Sequence, residues 1–223
     1  MSKGRGSYSS PIQQERRQRI LGAARMQLER CGLAALTMQS IAQASDVSLK
    51  TLYNLFGTRE LLLLEAAWEL LDNLETSGLV QEAKPGIERL MAFTEGAIKG
   101  FEYTPEYARV IVSILLRAEP GHPAVYAQLG RVQQFAHVCL SVAVEQGELR
   151  DDLDLGVLSN LICANQWGVV LLWEKGMLDL ANLATQTSLS HHLTLTPLCI
   201  GRRKQLMEKK LQELLSPSQA IAE

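Results

Sequence analysis

TMQSIAQASDVSLKTLYNLFGTRE, residues 37–60, decides how this chain is read. In its first part Met38, Ile41 and Ala42 recur at i, i+3 and i+4, the spacing of one helix face. Ser45-Asp46 breaks that pattern, and Val47 supplies the apolar plug that a tight turn between helices needs. Ser48 then stands where a hydroxyl caps a new helix. In that second helix the spacing predicts a buried stripe of Leu52, Leu55 and Phe56, with Leu49, Lys50, Thr51, Tyr53 and Asn54 outside. Two short helices joined by a turn, the second with a donor-rich outer face, form a helix-turn-helix able to enter a DNA major groove.

The flanks carry the same logic. Upstream, Ile20, Ala24 and Leu28 mark a longer helix over about 12–31, and Gly32 stands where a left-handed C-terminal cap belongs. Downstream, Thr58 caps a fourth helix, and Glu60 suits the positive end of its dipole. The assembled run closely resembles the N-terminal domain of the TetR family of bacterial transcriptional regulators. The matching pieces are Ile20-Leu21-x-Ala23-Ala24, Gly32, Thr37, Ile41-Ala42, Val47-Ser48 and Thr51-Leu52-Tyr53-x-x-Phe56. Two positions depart from the family pattern. Asp46 replaces the usual turn glycine, though Asp tolerates a left-handed conformation better than most residues. Lys50 and Leu55 also differ from common family residues, so base preference does not transfer from relatives. The resemblance implies roles for the rest of the motif. Thr37 and Ser48 offer hydroxyls and helix-start amides to phosphates. Leu49, Lys50 and Thr51 face base edges, while Tyr53, Asn54 and Arg59 contact the phosphate backbone.

Composition agrees with an all-α fold. Hydrophobic residues make up 47% of 223 and aromatics only 5%, and alternating β-branched runs are nearly absent. The net charge of −2 hides an asymmetry. Residues 1–60 hold nine Lys or Arg against four acids, whereas the remainder holds 13 bases and 20 acids. A basic head on an acidic body fits a polyanion-binding module attached to a domain that avoids DNA. Cys31, Cys139, Cys163 and Cys199 lie far apart without metal-ligand spacing, so free, largely buried thiols are expected. The adjacent His191 and His192 point about 100° apart on a helix and do not chelate one ion in the usual way. No metal and no cofactor is expected. There is no nucleophile elbow, phosphate loop or zinc-protease motif, so no catalytic residue and no enzyme is expected. With no visible secretory leader, and polar residues interrupting the apolar run 153–173, a cytoplasmic chain that does not cross a membrane is expected.

The expected organisation is a tail at 1–11, a helix-turn-helix domain at 12–57, a ligand-binding and dimerisation domain at 58–215 and a tail at 216–223. Turn signals place helices near 59–77, 85–103, 105–119, 123–145, 154–175, 179–192 and 198–215, giving nine to ten in all. Helical bundles build ligand sites between helices. The resemblance implies such a site, and Phe93, Phe101, Tyr126, His137, Gln166 and Trp167, bulky or polar on otherwise apolar helices, are its candidates. One helix-turn-helix reads too few base pairs to be selective, so a homodimer on an inverted-repeat duplex is expected. Helices 154–175 and 198–215 are the candidates for its interface. The reading is a homodimeric repressor released from its operator by a small apolar or amphipathic effector. Its rivals are a ligand-free DNA-binding protein whose body only dimerises or recruits a protein, and an enzyme or carrier using the bundle.

Overall fold

A computed structural model describes residues 11–216, which form eleven α-helices, one 3₁₀ turn and an isolated antiparallel bridge. Of the two expected tails, residues 1–10 and 217–223 lie outside the described residues. The chain divides into two compact units after Leu70, so the path between them runs within one helix, α4 (Arg59–Glu75).

The first unit is built on α1 (Pro11–Ala35), α2 (Met38–Ala44), α3 (Leu49–Phe56) and the first part of α4. α1 buries Ile20, Leu21, Ala23, Ala24 and Leu28 along one face. Gly32 interrupts it with a φ of 68°, the left-handed turn expected there. The helix resumes to Ala35, four residues beyond the expected end. Met38, Ile41 and Ala42 are buried as the spacing requires. Leu55 is not: it is 39% exposed, while Leu52 and Phe56 carry the burial. Leu52 and Phe56 are one turn apart and fix which way the short helix faces. Leu55 sits at the flank of that stripe.

The second unit contains α5 (Gly78–Gln81), α6 (Ile87–Tyr103), α7 (Pro105–Arg117), α8 (Pro123–Glu145), α9 (Leu155–Glu174), α10 (Leu180–Leu195) and α11 (Gly201–Leu215). Pro105 and Pro123 each stand in the first turn of their helix, where a missing N–H costs nothing. The single-turn α5 and the 3₁₀ turn Thr196–Leu198 are too short to show a period and are not legible in the residue pattern. Two apolar clusters fill the unit. One gathers Leu90, Leu140, Leu158, Ile162, Leu195 and Met207, and the other gathers Ile98, Val112, Val170, Trp173 and Leu183. α9 contributes to both. Among the described helices it alone is long and apolar enough to cross a membrane by length and composition. It is packed against α8, α10 and α7 instead. All four cysteines are free; Cys31 is exposed, contrary to the expectation of burial. Burial pushes the Cys139, Cys163 and Cys199 thiols up to about 11.

A buried carboxylate joins three distant segments of this unit. Glu148 is 5% exposed. It accepts from Arg203 on α11 at 3.0 and 2.6 Å, from Lys84 at 3.4 Å, and from the Ile87 backbone N–H at 3.3 Å. Beside it the Leu149–Cys199 bridge pairs the two loops, with the Ile200 amide donating to the Glu148 carbonyl at 3.0 Å. Gly86 has a φ of 105°, and a Cβ there would lie 2.7 Å from the carboxylate, so only glycine lets the chain pass so close. Removing one partner of a buried ion pair leaves the other charged and unpaired. Glu148→Ala is therefore expected to cost about 3 kcal/mol in urea unfolding. Lys84→Ala, at an exposed partner, should cost under about 1 kcal/mol. Equal losses would show that Arg203 is not the partner that matters.

Candidate DNA interface and body cavity

α3 is short, and its two ends are tied locally. At its start Ser48 Oγ accepts from the Thr51 amide at 3.1 Å and lies 2.8 Å from the Thr51 hydroxyl. Thr37 does the same for α2 through a reciprocal pair with Ser40, at 3.0 and 3.1 Å. Asp46 takes the left-handed turn conformation with a φ of 52°, the only non-glycine residue among those described to have a positive φ. Its neighbour Ser45 is buried and donates to the Ile41 carbonyl at 2.7 Å. Those bonds fix the angle at which α3 leaves the turn.

From behind, Leu52 and Phe56 are buried. The Arg17 guanidinium lies 4.6 Å above the Phe56 ring centre and pairs with Glu65 of α4. Arg25 pairs with Glu69 at 2.7 Å and donates to the Ala66 carbonyl at 3.1 Å, a second tie between α1 and α4. Neither tie was anticipated from the sequence; the signal available was a pair of arginines on the apolar side of α1. On the opposite side of α3, Leu49, Lys50, Tyr53 and Asn54 are exposed, and Thr51 is half-buried. At 100° per residue Leu49, Lys50, Tyr53 and Asn54 fall on one accessible face of α3, Thr51 stands at its edge, and Ser48 caps its start. Arg59 differs. Its guanidinium donates to the Leu33 and Leu36 carbonyls at 3.2 and 2.8 Å and pairs with Glu60 at 3.1 Å. It fastens the segment joining α1 to α2, a task its sequence position did not announce.

In the second unit, α6, α10 and α11 border a half-open cleft of about 530 Å3. Its wall combines Ile98, Met91, Leu206 and Met207 with Thr187 and His191. The six residues expected to form a ligand site are elsewhere. Phe93 is buried and stacks on Phe135 at 4.2 Å. Phe101 meets Trp173 at 5.4 Å, and Trp167 packs on the same cluster. His137 and Gln166 are half-buried, and Tyr126 is 77% exposed. None of the six is among the described residues that line this cavity.

His191 stands beside His192 as half of a pair that does not chelate one ion. The structure buries it completely, with neither ring nitrogen hydrogen-bonded. Burial pushes its imidazole down to about 4; the backbone of Ile162 pulls the other way, and His192 adds to the depression. His192 is also lowered by burial, but its Nδ1 lies 2.8 Å from the Ser188 carbonyl.

A capped, two-helix turn with an accessible second helix, held on a small helical head and followed by a helical bundle, defines a helix-turn-helix protein. Residues 20–70 match the family described as "Bacterial regulatory proteins, tetR family". That match covers the helix-turn-helix head and the first part of α4, and in this region the chain is similar to TetR-family regulators. A similar curated protein is the "HTH-type transcriptional repressor KstR" of Rhodococcus jostii strain RHA1. It is 25% identical over 129 residues, which cover 58% of this chain and 61% of that one. The chain thus spans under two thirds of that relative's length. Among solved structures, a TetR regulator from Rhodococcus sp. RHA1 superposes with a TM-score of 0.64 at 19% identity, covering 82% of this chain and 98% of the other. Thermus thermophilus FadR, a TetR-family repressor in complex with lauroyl-CoA, does so with 0.62 at 22%, covering 83% and 96%. At these identities the likeness carries the fold.

The buried imidazole makes stability depend on pH. Its folded value lies below the ordinary 6.5, so its contribution is complete above that pH. As pH falls from about 6.5 toward 4, the unfolded chain takes up a proton that the folded chain refuses, and stability is lost at up to about 1.4 kcal/mol per pH unit. Urea midpoints at pH 7 and pH 5 should therefore differ more for the wild type than for His191→Phe. An equal drop in both proteins would mean that His191 is readily protonated in the folded state.

Proposed function

We propose that the chain is a sequence-specific DNA-binding regulator: a homodimeric repressor, acting in the cytoplasm on an inverted-repeat operator and released by a small apolar or amphipathic effector. The observation that carries this reading is the accessible row on α3, Leu49, Lys50, Tyr53 and Asn54, opposite the buried Leu52 and Phe56. Lys50 stands on the first turn, exposed and without an ion pair among the described residues. Its stem can reach a guanine O6 or N7, and Leu49 or the Thr51 methyl can touch thymine. Tyr53 and Asn54, further along, suit phosphate oxygens, as do Thr37 and Ser48 at the helix starts. For Arg59 the proposed role is indirect: with its donors engaged on carbonyls, it positions the α2 start rather than clamping phosphate.

Dimerisation is supported by unpartnered apolar side chains. Val157, Leu161, Leu171 and Leu172 on α9 and Leu193 on α10 are all exposed by more than a third. α11 offers Leu206 and Leu215 in the same way. Effector control is supported by a body with room for a ligand. The naming of one relative as a repressor and the lauroyl-CoA held by another TetR-fold protein point the same way.

Selection from a random duplex pool with the full chain is expected to return inverted repeats with half-sites about one helical turn, ~34–36 Å, apart. Affinity should fall steeply with added salt, because Lys and Arg contacts release counterions. Enrichment of lone half-sites, or of nothing, would sink the dimeric reader.

Two variants on α3 separate the roles. Lys50→Ala should cost about 1–3 kcal/mol and relax preference at one base position per half-site. Tyr53→Phe should weaken every sequence alike, by at most about 1.5–3 kcal/mol. Binding to all single-base operator variants reads both effects. A uniform loss for Lys50→Ala would pass base reading to Leu49 and Thr51.

A further inference from the structure

α1 sends two arginines to α4, and one of them, Arg17, also covers a residue of α3. Arg25 pairs with Glu69 at 2.7 Å and donates to the Ala66 carbonyl at 3.1 Å, both partners on α4. Arg17 is held differently. Its Nε and one terminal nitrogen donate to the two carboxylate oxygens of Glu65, a bidentate fork, while the guanidinium lies 4.6 Å over the Phe56 ring. Phe56 ends α3, and Gly57 turns the chain out of the helix with a φ of 73°. The start of α3 is pinned locally, by the Ser48 cap and the Asp46 turn. Its far end is set by the burial of Phe56 and by the arginine over that ring. Apolar burial is non-directional and does not by itself stop a short helix from rolling. A bidentate fork fixes an angle as well as a distance. The side chains of the pair are 39% and 23% exposed, so it adds little to stability, and its value is orientation.

We infer that Arg17 is a positioning residue for DNA recognition: it sets the angle of α3 through Phe56, with Glu65 as its fixed point, and does not itself contact phosphate. The inference rests on the DNA-reading function proposed above and adds to it a residue behind the helix. Two features separate Arg17 from a phosphate clamp. Its fork is filled by Glu65, so an anion would have to displace a carboxylate. It also stands over Phe56, on the side of α3 opposite the accessible row. Contacts to base edges discriminate only when the helix sits at one angle in the groove. Contacts to phosphate hold a protein on DNA of any sequence. A loosened α3 therefore loses discrimination before it loses affinity for DNA in general. A lysine at position 17 would keep the charge but lose the flat face and the fork. Glu65 makes the sign of the effect diagnostic. It is an acid in the unit that meets a polyanion, so on charge alone its removal would tighten binding to every duplex. As the fixed point of Arg17, its removal lowers selectivity instead.

The test compares Arg17→Lys, Glu65→Gln, their double variant and Arg25→Lys in the full chain, on a selected operator and on a scrambled duplex of equal length. Arg17→Lys and Glu65→Gln should each lower the operator-to-scrambled affinity ratio about tenfold, the scale of one good base contact. Affinity for the scrambled duplex should stay within about twofold, because no phosphate contact is lost. The double variant should lose no more than either single one, since both break the same fork. Arg25→Lys alters a tie between the same two helices and should leave the ratio unchanged. Hydrogen exchange without DNA reads the hold on α3 directly. The Gly57 amide, bonded to the Tyr53 carbonyl at 2.9 Å, should exchange several-fold faster in the Arg17 and Glu65 variants, and the Val47 amide, bonded to the Ala42 carbonyl at 3.0 Å, should not. Tighter binding of Glu65→Gln to both duplexes with the ratio kept would overturn the inference and leave an ordinary surface pair. An equal fall in the ratio for Arg25→Lys would overturn it too, in favour of general packing of the head. A wild-type chain that selects no operator would strike the regulator reading, whereas unchanged Gly57 exchange would overturn the inference alone. If Arg17→Lys does not fold, Glu65→Gln carries the same comparisons.

Discussion

An eight-residue helix does not hold its shape alone in water, since nucleation is costly and helices below about 12–15 residues are marginal. Everything the head can do depends on how α3 is held. Leu52 and Phe56 bury its back, Arg17 covers the Phe56 ring, and Glu65 on α4 fixes Arg17 in turn. The turn before it is set by a left-handed Asp46 and by the buried Ser45 hydroxyl. Anchoring and the proposed recognition therefore use different residues of one short helix. Substitutions on the outer row change what α3 touches without changing whether α3 exists.

The body solves a different problem. α9 is apolar on nearly every side and takes part in both core clusters, yet Val157, Leu161, Leu171 and Leu172 remain uncovered. A helix apolar all round belongs in an interior. α7, α8 and α10 supply part of that interior, and the side chains they leave uncovered are what supports the dimer proposed above. Polar order in the same unit comes from Glu148, which spends one carboxylate on three segments. Apolar packing gives this bundle its cohesion, and the carboxylate fixes where its ends meet.

Local features were the legible ones. The caps at Thr37 and Ser48, the turn at Gly32 and the positive φ of Asp46 depend on neighbours within a few residues, and the sequence displays those neighbours directly. Leu55 was misjudged because spacing defines a stripe about an axis but not its width, and on so short a helix a flank position lies outside. The candidate ligand residues show what periodicity leaves out. A bulky or polar side chain on an apolar helix announces an unusual position, but periodicity does not say which helix it meets. Phe93 found Phe135, Tyr126 found solvent, and the cavity opened against α11. Arg59, expected at the phosphate backbone, donates instead to the Leu33 and Leu36 carbonyls at the end of α1, and His191, whose position shows only a non-chelating pair, is buried within the body.

The pairing of Glu148 with Arg203 spans 55 residues of chain, and a ribosome makes them in that order. As α8 and the loop after it emerge, the carboxylate has Lys84 and the Ile87 amide at hand, but its closest cation does not yet exist. The nascent bundle must keep that acid wet, or loosely held, until α11 has been translated and can dock. Completion of the body is thereby timed to a late event in synthesis, and the interval before it is when the apolar sides of α9 and α10 stand most open to chaperones or to a neighbouring nascent copy.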